Sequence, residues 1–342
     1  MVSIIHGSVP KVQGQAWQSE LKSAFRCPKK LLSYLELDPE RYLAGAKRGH
    51  QLFQTVVPLS FAKRIEKSNP HDPLLLQVLP TEQETALIPS YSPDPLQENN
   101  YSPVKGLLHK YHNRVLFITS GNCAVNCRYC FRRHFPYDEN NPGKTGWLKA
   151  IDYIKNHSEI DEVILSGGDP LSLKDSALDW LIQRLETVAH LKYLRIHSRF
   201  PVMIPSRITD GLIDVLRKTR FISTLVIHSN HPHEISDSVS TALLKLRDSG
   251  ITVLNQGLLL KNINDSSEIL IDLSHRLYQS GVLPYYLHLF DPVQGAAHFD
   301  TTKEKAKTLI EEMMRKLPGY LVPKLAYEEP GRAYKVTLTP FN

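Results

Sequence analysis

The sequence predicts an α/β fold, a partial (β/α)6 TIM-like barrel with a helical N-terminal extension. Three observations carry that prediction. From residue 115 onward, short apolar runs alternate with amphipathic helical stretches six times over. Polar residues gather at the C-terminal ends of those runs, where parallel strands would bring them together. The first 110 residues lack this rhythm and are interrupted by prolines.

The extension, residues 1–110, is expected to be mostly helical and packed on the core. Trp17, Leu21 and Phe25 recur at helical spacing, as do Leu31, Leu32 and Leu35. Asp38-Pro39 has the form of a helix start, and Pro58 to Ile65 reads as a further short helix. The barrel is expected over 111–300. Its strands are predicted at 115–119, 162–165, 193–197, 221–228, 251–256 and 284–289. The helices between them fall near 144–157, 175–189, 207–218, 235–249 and 265–280, with Gly250 and Gly281 as C-caps. A C-terminal segment, 301–342, opens with a helix near 303–316. Six repeats are too few for a closed eight-stranded barrel, so an open barrel is expected, with its chemistry at the C-terminal strand ends.

Composition narrows the classes. A chain of 342 residues, 42% hydrophobic, can bury a large core. A net charge of +6 without a long Lys/Arg block gives no case for a nucleic-acid partner. No apolar run is long enough for a membrane span, and residues 1–19 hold no signal-peptide core. Of four cysteines, three are clustered, so they do not form a disulfide framework; a reducing cytoplasm is the expected compartment, with Cys27 a passive thiol.

The clustered cysteines are Cys123, Cys127 and Cys130, in a C-x3-C-x2-C loop directly after the first predicted strand. Thiolates at such spacing are metal ligands. Two readings follow from the residues. With His134 they could complete a Cys3His zinc site. Alternatively, three cysteines could hold a [4Fe–4S] cluster and leave one iron open to a small molecule.

The cysteine loop, with Tyr129 before its last cysteine and Gly167-Gly168-Asp169 after the second strand, resembles the signature of the radical S-adenosylmethionine enzymes. Further stretches resemble the lysine 2,3-aminomutases within them: Arg128 to Phe135, Leu107 to Arg114, Asn255-Gln256 and Gly295 to Phe299. The similarity is greatest to the short branch of that family, which isomerises lysine for attachment to elongation factor P. The longer branch carries C-terminal zinc-binding cysteines at a subunit interface, and this sequence has no cysteine after Cys130. A homodimer is possible, and any such dimer would be built differently.

The resemblance implies a radical-SAM-type barrel, a [4Fe–4S] cluster on Cys123, Cys127 and Cys130, S-adenosyl-L-methionine, and pyridoxal 5′-phosphate. It implies that Gly167, Gly168, Asp169 and Gln256 contact S-adenosylmethionine, and that Arg114 binds the pyridoxal phosphate. Lys335 is the expected pyridoxal-phosphate lysine, with Lys324 as fallback because Arg332-Ala333-Tyr334 stand where relatives have glycines. Arg132 is expected to grip the substrate carboxylate, and Asp291 and Glu328 its ε-ammonium. A guanidinium fork at one end and two acids at the other would measure the length of lysine.

The implied activity is isomerisation of L-α-lysine to (R)-β-lysine by radical 2,3-amino migration. It would be linked functionally to elongation factor P and its lysyl-ligating enzyme, and it requires an electron donor. Two alternatives stand beside it: an aminomutase of the same kind acting on free metabolic lysine or on glutamate, and a zinc-binding, non-catalytic module.

Overall fold

Nine strands lie side by side in chain order in one sheet. The computed structural model describes residues 16–137 and 143–339. Strands β1 (Leu107–Tyr111) and β2 (Arg114–Ser120) form an antiparallel hairpin. From β2 the sheet runs parallel through β3 (Glu162–Gly167), β4 (Tyr193–Ser198), β5 (Ile222–Ile227), β6 (Thr252–Leu258), β7 (Leu283–His288) and β8 (Lys324–Tyr327). The two-residue β9 (Val336–Thr337) pairs antiparallel with β8. No ladder joins β1 to β9 among the described residues, so the barrel is open.

The six expected strands are β2 to β7, with ends displaced by one or two residues. A seventh parallel strand, β8, was not foreseen. It is four residues long, with only Leu325 and Ala326 buried, too short to show a periodic pattern.

Helices Gly143–Lys155, Asp175–Glu186, Asp210–Lys218, Asp237–Asp248 and Ser267–Gln279 connect successive strands, and Lys303–Lys316 precedes β8. Their starts are chemically marked. Thr209, Ser266 and Thr302 each accept a backbone N–H of the first turn through the side chain. Two helices end at glycines in the left-handed region, Gly250 at φ +81° and Gly281 at φ +77°.

Alternate residues of each strand face opposite ways. Val115 and Phe117 of β2, Val163 and Leu165 of β3, Leu194 and Ile196 of β4, and Leu225 and Ile227 of β5 join the helices in one core. The extension enters that same core through Trp17, Leu31, Leu32, Phe61 and Leu75. Its helices Ala16–Lys22, Pro28–Tyr34, Pro39–Leu52 and Leu59–Ala62 lie where the sequence placed them, and Asp38 caps the third by accepting from Glu40 N. Burying each such Leu, Ile or Phe contributes about 1.5–3 kcal/mol.

The inward residues differ. Arg114 and Leu116, Ile164 and Ser166, Arg195 and His197, Gln256 and Leu258, and Tyr286 and His288 line an internal cavity of about 630 Å³. A closed eight-stranded barrel fills its interior with branched apolar side chains. Here the interior is hollow, with charged and polar side chains set into an apolar wall, and it runs from the first residue of β2 to the loops beyond the strand ends. Among the described residues no helix is long and apolar enough to cross a membrane.

Candidate active site

The cysteine loop leaves β2 at Ser120 and is held from two sides. On one side stands the turn after β3. Gly168 N donates to Ser120 O at 2.7 Å and Asp169 N to Asn122 O at 2.8 Å. This approach requires glycine. Gly167 has φ +112°, and a Cβ there would lie 2.7 Å from Ser120 O; one on Gly168 would lie 2.7 Å from Gly121 C and Asn122 O. The Asp169 carboxylate has partners within the protein. It accepts from Leu171 N, Ser198 Oγ and Arg199 N at 3.0, 2.7 and 2.7 Å, tying the β3 turn to the end of β4. Burial pushes its pKa up to about 6. A contact to a bound molecule from this turn would therefore come from the backbone of Gly167 and Gly168, with Asp169 as their support.

On the other side stands the extension. Asn126 N donates to Val56 O, Asn126 Nδ2 to Gln54 O, and Arg128 N to Gln77 O. Arg128 is fully buried and grips the Glu84 carboxylate, which also accepts from Arg133 at 2.6 Å. A second buried hub surrounds Cys127. Arg199 Nη1 donates to Cys127 Sγ, and Arg199 Nη2 donates to Gln77 Oε1 and Glu234 Oε2 at 2.7 and 3.0 Å.

Burial pushes the Cys123 thiol well above its ordinary range and the Cys130 thiol up to about 11. Thiols so placed become thiolates only against a strong positive charge, which a metal group supplies. Among the described residues no three or more His, Cys, Asp or Glu side chains converge on one ion. Three thiols of one loop lining one cavity suit an iron–sulfur cluster, which is held by cysteine thiolates. His134 stands apart. It does not line the cavity, and its Nε2 lies 3.1 Å from Gln294 O.

All the residues expected from the sequence line this one cavity: Cys123, Cys127, Cys130, Gly167, Gly168, Asp169, Gln256, Arg114, Arg132, Asp291, Glu328 and Lys335. Lys324, the fallback, is exposed and does not line it.

Several of these residues already have partners. The Arg132 fork holds the Glu98 carboxylate bidentately, Nε to Oε2 at 2.8 Å and Nη2 to Oε1 at 2.6 Å. Burial opposes the charge on Arg132, but the Glu98 carboxylate more than offsets it and the group stays a cation. Glu328 accepts from Lys110 Nζ at 2.7 Å, Lys335 Nζ at 2.8 Å and the Tyr111 hydroxyl at 2.7 Å. Burial works against its charge, yet Lys335 and these hydrogen bonds bring its pKa down to about 2. Asp291 makes no side-chain hydrogen bond among the described residues, and burial pushes it up to about 7. Arg114 makes no ion pair among the described residues; its guanidinium lies 4.2 Å from the Tyr111 ring centre.

Glu98, Lys110, Tyr111 and Arg195 are cavity residues that the sequence reading did not single out. Arg195 could have been found, since it and His197 alternate with buried Leu194 and Ile196 along β4. Glu98 sits in a 3-10 turn behind a left-handed Gln97 at φ 53° and has no periodic signal. Three histidines at the strand ends are held neutral. Burial takes His228 down to about 3, with Gln256 Nε2 2.8 Å from its Nε2, and lowers His197 and His288 well below their ordinary range.

Comparison with known proteins decides the family. The Radical SAM superfamily model matches residues 117–273. An L-lysine 2,3-aminomutase of Escherichia coli is 48% identical over 322 residues, 94% of each chain. One of Haemophilus influenzae is 50% identical over 321 residues, 94% of this chain and 95% of its own. The chain belongs to the lysine 2,3-aminomutase family. It is an isomerase of that type, and its cofactors are those of the family: a [4Fe–4S] cluster, S-adenosylmethionine and pyridoxal phosphate. The non-catalytic zinc module is thereby set aside. The aminomutase of Clostridium subterminale is more distant, 33% identical over 325 residues, 95% of this chain and 78% of its own. Among solved structures, a radical SAM methyltransferase from Sphaerobacter thermophilus matches with TM-score 0.46 at 16% identity, over 65% of this chain and 68% of that one.

Proposed function

We propose that this aminomutase converts L-α-lysine to (R)-β-lysine, and that the product serves elongation factor P through its lysyl-ligating enzyme. The observation that carries the reading is a single cavity. It joins a loop of three thiols to an arginine fork, and the fork to two acids beside a lysine.

When bound, the cluster and S-adenosylmethionine supply a hydrogen-abstracting radical, and pyridoxal phosphate holds the migrating amino group. In this reading Cys123, Cys127 and Cys130 hold the cluster. The Gly167-Gly168 backbone and Gln256 face S-adenosylmethionine, Lys335 carries pyridoxal phosphate, and Arg114, which has no carboxylate partner among the described residues, takes its phosphate. Arg132 exchanges the Glu98 carboxylate for that of the substrate. Asp291 takes the ε-ammonium and keeps it charged, with Glu328 beside it when Lys335 is engaged elsewhere. Neutral His197, His228 and His288 add no competing cation. The apolar and aromatic wall, with Leu116, Ile164, Phe131 and Tyr286, keeps water from the reacting carbons.

Glutamate fits poorly because its side-chain carboxylate would meet two acids. The assignment to the elongation factor P branch rests on the short-branch resemblance, with identity near one half to the Escherichia coli and Haemophilus chains against one third to the clostridial one. Four free thiols support a reducing, cytoplasmic setting.

The test is anaerobic incubation of the reconstituted enzyme with lysine or glutamate, S-adenosylmethionine and dithionite. The β-lysine formed is then offered to the ligating enzyme with elongation factor P. Lysine alone should turn over. An enzyme with full iron, sulfide and pyridoxal phosphate that forms no β-lysine overturns the assignment, and β-lysine of S configuration overturns its stereochemical part.

A further inference from the structure

The hub at Cys127 is not explained by substrate binding. Arg199 lies at the end of β4, and its guanidinium is buried. Its Nη1 donates to Cys127 Sγ and its Nη2 to Glu234 Oε2 and Gln77 Oε1, while its Nε has no partner among the described residues. Gln77, also fully buried, comes from the extension, and its Oε1 accepts from Tyr129, Asn230 and Arg199 together. Glu234 is fully buried as well. Its Oε1 accepts from Gln77 Nε2, Asn230 N and His231 N, which leaves Oε2 to Arg199. One of the three thiols therefore sits against a fixed cation whose own counter-charge is one carboxylate behind it. Cys123 and Cys130 have no hydrogen bond from an arginine side chain among the described residues.

We propose that Arg199 and Glu234 are a charge pair that sets the reduction potential of the cluster through Cys127. The proposal rests on the cysteines holding that cluster. The step concerned is the entry of one electron from a low-potential one-electron donor. The cluster gains a unit of negative charge, no bond is made or broken, and no proton is taken up. A guanidinium donating to a cluster sulfur stabilises the more negative, reduced state and raises the potential; hydrogen bonds to the sulfurs are a recognised lever on such clusters. Glu234, behind the guanidinium, offsets part of that effect. The pair thus acts with opposite signs at one sulfur.

Opposite signs separate an electrostatic role from a structural one. Arg199→Gln, Arg199→Lys and Glu234→Gln are purified anaerobically and reconstituted. Iron and sulfide are counted, and the potential is read by dithionite titration monitored by electron paramagnetic resonance. Arg199→Gln should weaken one-electron reduction about tenfold, a shift of about 59 mV to more negative potential. Arg199→Lys should recover part of that shift, and Glu234→Gln should move the potential positive. Unchanged potentials, or shifts of the same sign in Arg199→Gln and Glu234→Gln, overturn the proposal. If Arg199→Gln alone fails to hold iron, Glu234→Gln decides: a positive shift upholds the pair, and any other result overturns it. Loss of iron from all three variants makes these residues part of cluster assembly only and likewise overturns it. If the wild-type protein binds no four-iron cluster, the ligand assignment fails rather than the charge pair.

Discussion

Lys335 and Glu328 form an ion pair in the cavity wall, Nζ to Oε1 at 2.8 Å. One is the lysine expected to carry pyridoxal phosphate, the other an acid expected to take the substrate's ammonium. The lysine thus stands where the substrate's own cation is expected. Lys110, 2.7 Å from the same carboxylate, remains when Lys335 is engaged, so Glu328 is never left without a cation.

Of the two lysines considered from the sequence, Lys335→Ala should abolish the visible absorption band of enzyme-bound pyridoxal phosphate while leaving iron content intact. Lys324→Ala should leave both unchanged, because Lys324 is exposed and off the cavity. A persistent band in Lys335→Ala would refute the assignment.

Asp291 gives a pH dependence. Its pKa in the ligand-free site is pushed up to about 7 by burial, above the usual value of about 3.9. Binding a cation there requires the ionised carboxylate, so a proton must leave below pH 7. Lysine affinity should fall by up to about tenfold per pH unit below pH 7 and level off above it. The raised value has the opposite effect on folding: its contribution favours the native state at low pH and is lost as pH rises from about 4 through 7. Equilibrium binding of lysine to the pyridoxal-phosphate-loaded enzyme from pH 5.5 to 8.5 checks the first statement. Asp291→Asn should flatten the profile and weaken binding, and a profile of unchanged shape in that variant would count against the role.

Glu98 competes for the Arg132 fork. Removing its charge with Glu98→Gln should lower the KM for lysine severalfold, since the substrate carboxylate would no longer have to displace a bidentate partner. Steady-state kinetics would show it. A raised KM would mean that Glu98 holds Arg132 in its productive position instead.

Gly168→Ala tests the seam between the β3 turn and the cysteine loop. The added methyl would lie 2.7 Å from Gly121 C and Asn122 O, both backbone atoms without freedom to yield. The variant should fold, with melting lowered by several degrees, but reconstitute with much less iron than wild type. Iron and sulfide assay with circular dichroism distinguishes that from global unfolding.

The sequence revealed what repeats and what clusters. Six strands showed in the alternation of apolar runs with helices, and the cysteine loop showed in its spacing. Some features depend on tertiary contact and leave no such trace. β8 is recognisable only beside β7, because Leu325 and Ala326 alone are buried in it. Glu98 meets Arg132 across 34 residues, and Lys110 meets Glu328 across 218. Asp169 was expected at the cofactor from its place in a motif, and it does line the cavity; that its carboxylate also ties the β3 turn to the β4 end is a link residue order does not encode.

The hollow interior has a consequence for how the protein comes to be made. A barrel that leaves about 630 Å³ of its centre to other molecules has delegated part of its interior to them. Its cofactors are then partners in folding as well as reagents. A ligand present at a hundred times its dissociation constant adds about 2.7 kcal/mol to the native state. Cells short of iron, sulfide or vitamin B6 should therefore accumulate less of this protein, through turnover of chains that never acquired their centre.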